Sequence, residues 1–121
     1  MTGGVKTLKR RAEYLRVRKG ARWATVTFVL EAKSREEPQA LEQAPRFGFT
    51  VTRQVGKAVE RNRIRRRLKS AIRRLSADHA RGEFDYVLIA RRPALTSTFE
   101  AIVADLVKAF DRVHRVPSKA R

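Results

Sequence analysis

The sequence predicts a small two-layer α/β (α+β) sandwich with its elements in the order α-β-β(-β)-α-β-α. Three observations lead there. Two runs, Trp23 to Ala32 and Arg46 to Arg53, alternate apolar and polar residues with the period of a half-buried strand, and a third, Tyr86 to Ala90, is continuously apolar like a strand covered on both faces. Two longer stretches repeat their apolar residues at helical spacing, and one of them is crowded with arginine. The 121 residues, 42% of them apolar, suffice for one domain with one modest core, and no cysteine is present to staple it.

Taken in order, Thr7 to Lys19 reads as a short basic helix with Leu8, Ala12, Leu15 and Tyr14 available to pack and Gly20 as its stop. In the first strand Ala24, Val26, Phe28, Leu30 and Ala32 share one face, with Thr25, Thr27, Val29 and Glu31 on the other. Trp23, the sole tryptophan, reads as a packing residue. Residues 33–45, KSREEPQALEQAP, are polar and rich in turn formers, a loop expected to be mobile. The second strand sends Phe47, Phe49 and Val51 inward and leaves Arg46, Gly48, Thr50 and Thr52 on a small, hydrogen-bonding outer face. A helix follows Gly56 and runs to about His79, with Gly82 beyond its end. The run YVLIA belongs in the centre of the sheet. The last helix has capping-box spacing at Ser97 and Glu100 and a wide stripe of Phe99, Ile102, Val103, Leu106, Val107, Phe110 and Val113, which makes it the main packing element. Residues 1–121 are expected to form a single domain with flexible tails of about 1–6 and 115–121.

The segment KAVERNRIRRRLKSAIRR, Lys57 to Arg74, carries the clearest functional signal. Ile64, Leu68, Ala71, Ile72 and Leu75 make one packing face, while Arg61, Arg63, Arg65, Arg66, Arg67, Lys69, Arg73 and Arg74 fall within positions 61–74. No acid stands between Glu60 and Asp78, so the usual opposite-charge pairs at three or four residues are missing and the cations repel until an anion arrives. Across the chain 29 Lys and Arg oppose 12 Asp and Glu, a net charge of +17 that favours a polyanionic partner, nucleic acid first. The same self-repulsion makes folding sensitive to anions, which circular dichroism with and without sulfate would reveal.

Residue chemistry refines this. Arginine binds phosphate with a planar fork and also stacks on bases. Asn62 offers a donor and an acceptor to ribose or base edges, or serves as a local cap near the helix start. Tyr14 suits a base-stacking platform or a place in the core. Thr50 and Thr52 suit sugar or phosphate contacts, although threonine on a strand needs no functional reason.

Other classes fare worse. Zero cysteines exclude a thiolate nucleophile and Cys-based zinc sites. His79 and His114 stand near predicted helix ends as surface histidines, Glu36 and Glu37 lie in the loop, and Asp78, Glu83 and Asp85 surround a turn, so neither a catalytic nor a metal-binding cluster is expected. A helix-turn-helix DNA regulator conflicts with the strand that precedes the basic helix. No apolar run approaches the roughly 20 residues of a membrane span, the N-terminal MTGGVKTLKRR lacks a signal-peptide core, and the basic helix has no Trp or Phe to bury in lipid, so a cytoplasmic protein is expected.

The stretch RFGFTVTRQVGKAVERNRIRRRLKSAIRR, Arg46 to Arg74, with Arg61-Asn62-Arg63 opening the basic helix, resembles the signature region of the protein subunit of bacterial ribonuclease P. LKRRAEYLRVRKG and DYVLIARRPA resemble its first helix and its last strand with exit loop, so the likeness covers most of the chain. It implies a ribosomal protein S5 domain 2-like sandwich with a left-handed βαβ crossover through the basic helix, where general statistics favour the right-handed one. It also implies the small partner of a large catalytic RNA, in a complex that uses Mg2+ held mainly by RNA to remove 5′ leaders from precursor tRNA. The protein alone is not expected to cleave, and no obligate protein partner is implied. Matched by position, Arg61, Asn62, Arg63, Arg65, Arg66, Arg67 and Lys69 would face the catalytic RNA or the substrate. Tyr14, Arg18, Arg46, Thr50, Thr52 and Arg53 would line a groove for the single-stranded leader. Arg18 stands where the family often has an aromatic and Gln54 where it often has lysine, which implies leader binding that leans on charge more than on stacking. A basic structural protein of ribosomal type is the alternative, separable by its indifference to leader length.

Overall fold

The computed structural model describes residues 5–36 and 44–115. The centre of the expected loop (37–43) and most of the two expected tails (1–4 and 116–121) lie outside the described residues. The elements are α1 (Arg11–Val17), β1 (Ala21–Ala24), β2 (Phe28–Ser34), β3 (Arg46–Thr50), a 3-10 turn (Arg53–Val55), α2 (Ala58–His79), β4 (Phe84–Ala90), α3 (Pro93–Thr96) and α4 (Phe99–Arg115). The four strands run in the order β1-β2-β4-β3, with β3 parallel to β4 and the other pairs antiparallel. The expected α/β sandwich is the observed one, and the optional extra strand is real.

Its origin corrects the reading of Trp23 to Ala32 as one strand. Thr25 breaks the run: its Oγ1 accepts from the N–H groups of Thr27 and Phe28 at 3.2 and 3.0 Å, and its own N–H donates to the Phe28 carbonyl at 2.7 Å. A threonine turn hides easily inside an alternating pattern, because its residues look like strand residues. Val26 consequently stands exposed at the hairpin tip rather than packed, while Thr27 is buried and donates to Asp105 Oδ2 on α4 at 2.7 Å.

Helix α2 covers residues 58–79 as its apolar period requires, burying Ile64, Leu68, Ala71, Ile72 and Leu75. Helix α4 buries Ile102, Val103, Leu106, Ala109, Phe110 and Val113. Both pack on one face of the sheet, against Phe28, Leu30, Ala32, Phe47, Tyr86, Leu88 and Ala90. Thr98 caps α4, accepting from the Ala101 N–H at 3.1 Å, so the expected cap at Ser97 moves one residue on. The short α3 occupies the preceding turn and leaves Ser97 as its C-cap. Trp23 packs against the core, with the Arg112 guanidinium 4.9 Å from its ring centroid.

On the opposite face α1 is shorter than expected, and Val17 alone of its seven residues is buried. Ala12 and Leu15 are exposed, whereas Leu8 precedes the helix and packs with Val17 and Val87. Residues 5 and 6, read as tail, join the sheet's edge: the Lys6 carbonyl accepts from the Phe47 N–H at 2.9 Å, and Val5 packs on the core. Gly20 lies so close to the Ala32 carbonyl that an added Cβ would meet its oxygen at 2.1 Å.

Candidate nucleic-acid interface

Helix α2 projects its basic residues around three sides of the buried stripe. Asn62, Arg63, Arg66, Arg73 and Arg74 are exposed, while Arg61, Arg65, Arg67 and Lys69 sit on the flanks and are half-buried. Capping is local: Glu60 Oε1 accepts from the Lys57 N–H at 2.9 Å. The Arg92 guanidinium meets the same carboxylate at 2.9 Å. Hydrogen bonds from Arg92 and from the Lys57 backbone hold the Glu60 carboxyl down at about 2.

The structure divides the predicted cations into two kinds. Arg67 turns back into the protein and donates to the carbonyls of Ala94 and Leu95 at 2.7 and 2.9 Å and to that of Ser97, closing the α3 turn. Burial, with the neighbouring Arg63 charge, lowers its pKa. Its first role is therefore structural, which corrects its equal standing with the others. Arg61 donates to the Gly56 carbonyl at 2.9 Å, and Asn62 Oδ1 accepts from Arg65 at 2.9 Å, so Asn62 organises an arginine instead of capping the helix. Lys69 Nζ lies 5.8 Å from the Phe49 ring centroid. Arg63, Arg66 and Arg73 remain as an exposed cationic crest. Arg73, absent from the family-matched set, belongs to it by helical phase, a signal the α2 periodicity already contained.

The second predicted group lies on the outer face of the sheet. Register places Thr50 beside Ile89 and Gly48 beside Val87. The Tyr14 ring lies on Gly48, where an added Cβ would approach it to 2.6 Å, so only glycine leaves room. Tyr14, Ile89 and Thr50 are half-buried, and Arg18, Thr52 and Arg53 are exposed. Arg18 stands toward Glu31, whose buried carboxyl is pushed up by desolvation against the lowering charges of Arg22 and Arg18. The strand ends at Thr50, so Thr52 and Arg53 reach the rim through the turn that follows rather than along a strand.

Arg46 departs from its expected place in that groove. It grips Asp85 in a fork, Nε to Oδ1 at 2.9 Å and Nη2 to Oδ2 at 2.8 Å, and its Nη1 donates to Glu13 at 3.2 Å. Asp85, read as a turn residue, is fully buried in β4 and also receives Arg16 at 2.9 Å and Arg35 at 2.8 Å. Burial raises its carboxyl, but hydrogen bonds from Arg46, Arg16 and Arg35 more than offset it and hold the pKa below the usual range.

The two histidines are not simple surface groups. His114 Nε2 lies 2.6 Å from the Tyr86 hydroxyl, which accepts from the Arg81 N–H at 2.8 Å, and burial with the Arg81 charge lowers the imidazole to about 4. His79 stacks on Phe110 at 6.4 Å between centroids. Among the described residues no group of three or more His, Asp or Glu side chains is placed to hold a metal ion. Among them, too, no helix is long and apolar enough to cross a membrane.

A family model described as Ribonuclease P matches residues 4–114. The chain belongs to the ribonuclease P protein family. Ribonuclease P protein components of Bartonella quintana and Brucella suis are 41% and 44% identical to it over 101 and 103 residues, spanning 82% of this chain and 76% and 73% of theirs. Among solved structures, the ribonuclease P protein of Staphylococcus aureus superposes with a TM-score of 0.72 at 26% identity, covering 93% of this chain and 97% of that one. That of Thermotoga maritima gives 0.74 at 24% identity over 89% and 97%, a likeness of fold.

Proposed function

We propose that this protein binds the catalytic RNA of ribonuclease P through α2 and holds the 5′ leader of precursor tRNA in the groove beside α1, promoting magnesium-dependent removal of the leader in the cytoplasm. The observation that carries the reading is the crest of Arg63, Arg66 and Arg73, exposed along one helix that holds no acid between Glu60 and Asp78. Such a surface sheds its self-repulsion most completely against a polyanion. Arg61, Asn62, Arg65 and Lys69 flank the crest for phosphate and ribose contacts. In the groove, half-buried Tyr14 offers an aromatic ring and Thr50, Thr52, Arg53 and Arg18 offer polar and cationic groups, a combination suited to a single strand of any sequence. Arg46 and Arg67 support these surfaces from behind. The magnesium ions of the holoenzyme take RNA phosphates as their main ligands in this reading.

The test is cleavage of a precursor tRNA at low magnesium by a bacterial ribonuclease P RNA, with and without the protein, beside a protein-only control. Stimulation that requires both components, and that weakens as the leader is shortened, is the expected result. Tight RNA binding without stimulation would favour a structural protein of ribosomal type. Cleavage by purified protein alone would overturn the reading.

A further inference from the structure

Helix α1 has little apolar surface holding it down: Val17 is buried, and Leu15 remains 36% exposed. Tyr14 packs against the cluster of Leu8, Val17 and Val87, and ion pairs add the directional part of the attachment. Arg16 donates through Nη2 to Asp85 Oδ2 at 2.9 Å and through Nη1 to the Ser34 carbonyl at 3.0 Å. Glu13 accepts from Arg46, itself forked onto Asp85, and its other oxygen accepts from the N–H groups of Lys9 and Arg10, both at 2.9 Å, where α1 begins. Two positions one turn apart on α1 are thus tied to a single fully buried carboxylate. A third arginine, Arg35, secures that carboxylate and donates to the Gly82, Phe84 and Ala44 carbonyls, fixing it to the loops around it. Tyr14 lies between the two anchored positions.

We infer that Asp85 is a positioning residue for the groove: by clamping Arg16 and Arg46 it sets the height and tilt of α1 over the sheet, and so where Tyr14 stands relative to Ile89 and Thr50. Two directional ties, Arg16 to Asp85 and Glu13 to the Arg46 that forks onto Asp85, fix an orientation that one buried valine would leave free to rock. The inference rests on the reading that the groove takes the leader.

The experiment compares wild type with Arg16→Ala, which cuts the direct tie yet leaves Asp85 two arginines, and with Asp85→Asn. Lys19→Ala removes an equal charge from just beyond the same helix without touching Asp85. Holoenzymes rebuilt from each are measured for affinity to precursor tRNA and to mature tRNA, and amide exchange is followed in free protein. Arg16→Ala and Asp85→Asn should each lose about tenfold of the preference for the leader-bearing substrate, the scale of one stacked base. Exchange should quicken in α1 and not in α2 or α4, and Tyr14→Ala should add little in the Asp85→Asn background. Leader preference retained in Arg16→Ala despite faster α1 exchange would overturn the inference, as would an equal loss in Lys19→Ala. Absence of leader preference in the wild type would overturn the proposed function, and this inference with it.

Discussion

On its inner face the sheet meets α2 and α4 through a continuous apolar layer, whereas on its outer face it meets α1 through buried Val17, half-buried Tyr14 and a carboxylate shared by three arginines, one of them on α1. Burial on the inner face contributes stability in proportion to area and tolerates small shifts of orientation. Ion pairs on the outer face contribute little net stability for the charge they bury, but they lock geometry. The same sheet therefore carries a stabilising side and, on the proposed function, a recognising side. Changes on the first should be read out as unfolding alone, and on the second as altered recognition, with unfolding added where a buried charge is stranded.

The largest effect should come from Asp85→Ala, which strands three arginines around an empty site and should cost about 4 kcal/mol in urea unfolding. A loss below about 1 kcal/mol would mean that water replaces the carboxylate readily. Leu106→Ala should cost about 3 kcal/mol through its cavity while leaving leader preference intact in the folded fraction, a purely inner-face result.

On the inner face stands His114 of α4, neutral against Tyr86. With a folded pKa near 4 against an ordinary 6.5, its neutral form contributes stability that is fully present above about 6.5 and is lost as pH falls toward 4. Asp85, held low, keeps its contribution above the ordinary carboxylate value and loses it only at more acid pH. Stability should thus decline by on the order of 2 kcal/mol between pH 6.5 and 4, and His114→Gln should flatten the curve in that interval. Parallel curves for the two proteins would show that the imidazole is not the titrating group.

A smaller and sharper contrast lies within α2. Arg67→Ala should lower stability by about 1.5 kcal/mol by releasing the α3 carbonyls. Exposed Arg66→Ala should change stability by less than about 0.5 kcal/mol yet reduce the log-log salt slope of RNA binding by roughly 0.7 to 0.9. If both change only the slope, the division of α2 into supporting and binding arginines fails. Thr98→Ala in turn should cost about 1 kcal/mol as a lost cap, checked by thermal unfolding.

Much of the fold was legible because its signals are local. The α2 boundaries, the central place of Tyr86 to Ala90 and the stripe of α4 each follow from the spacing of apolar residues along one segment. The hairpin at Thr25 escaped because a turn built from threonine side chains keeps the alternation of the strands it joins. The candidate site was legible as a count of cations but not as an arrangement. Arg66 and Arg67 are neighbours in sequence with the same side chain, and a rotation of one residue sends one to solvent and the other onto three carbonyls.

The sequence by itself determined which segments are helices and strands, that one helix is a polycation, and that the partner is an anion, since periodicity and net charge need no knowledge of neighbours. Tertiary structure alone decided which arginines are free to bind. Arg16, Arg35 and Arg46 lie 69, 50 and 39 residues from Asp85, and only strand register and the seating of α1 bring them to it. An ion pair acts over a few ångströms, so what each charge does depends on contacts that chain order does not contain.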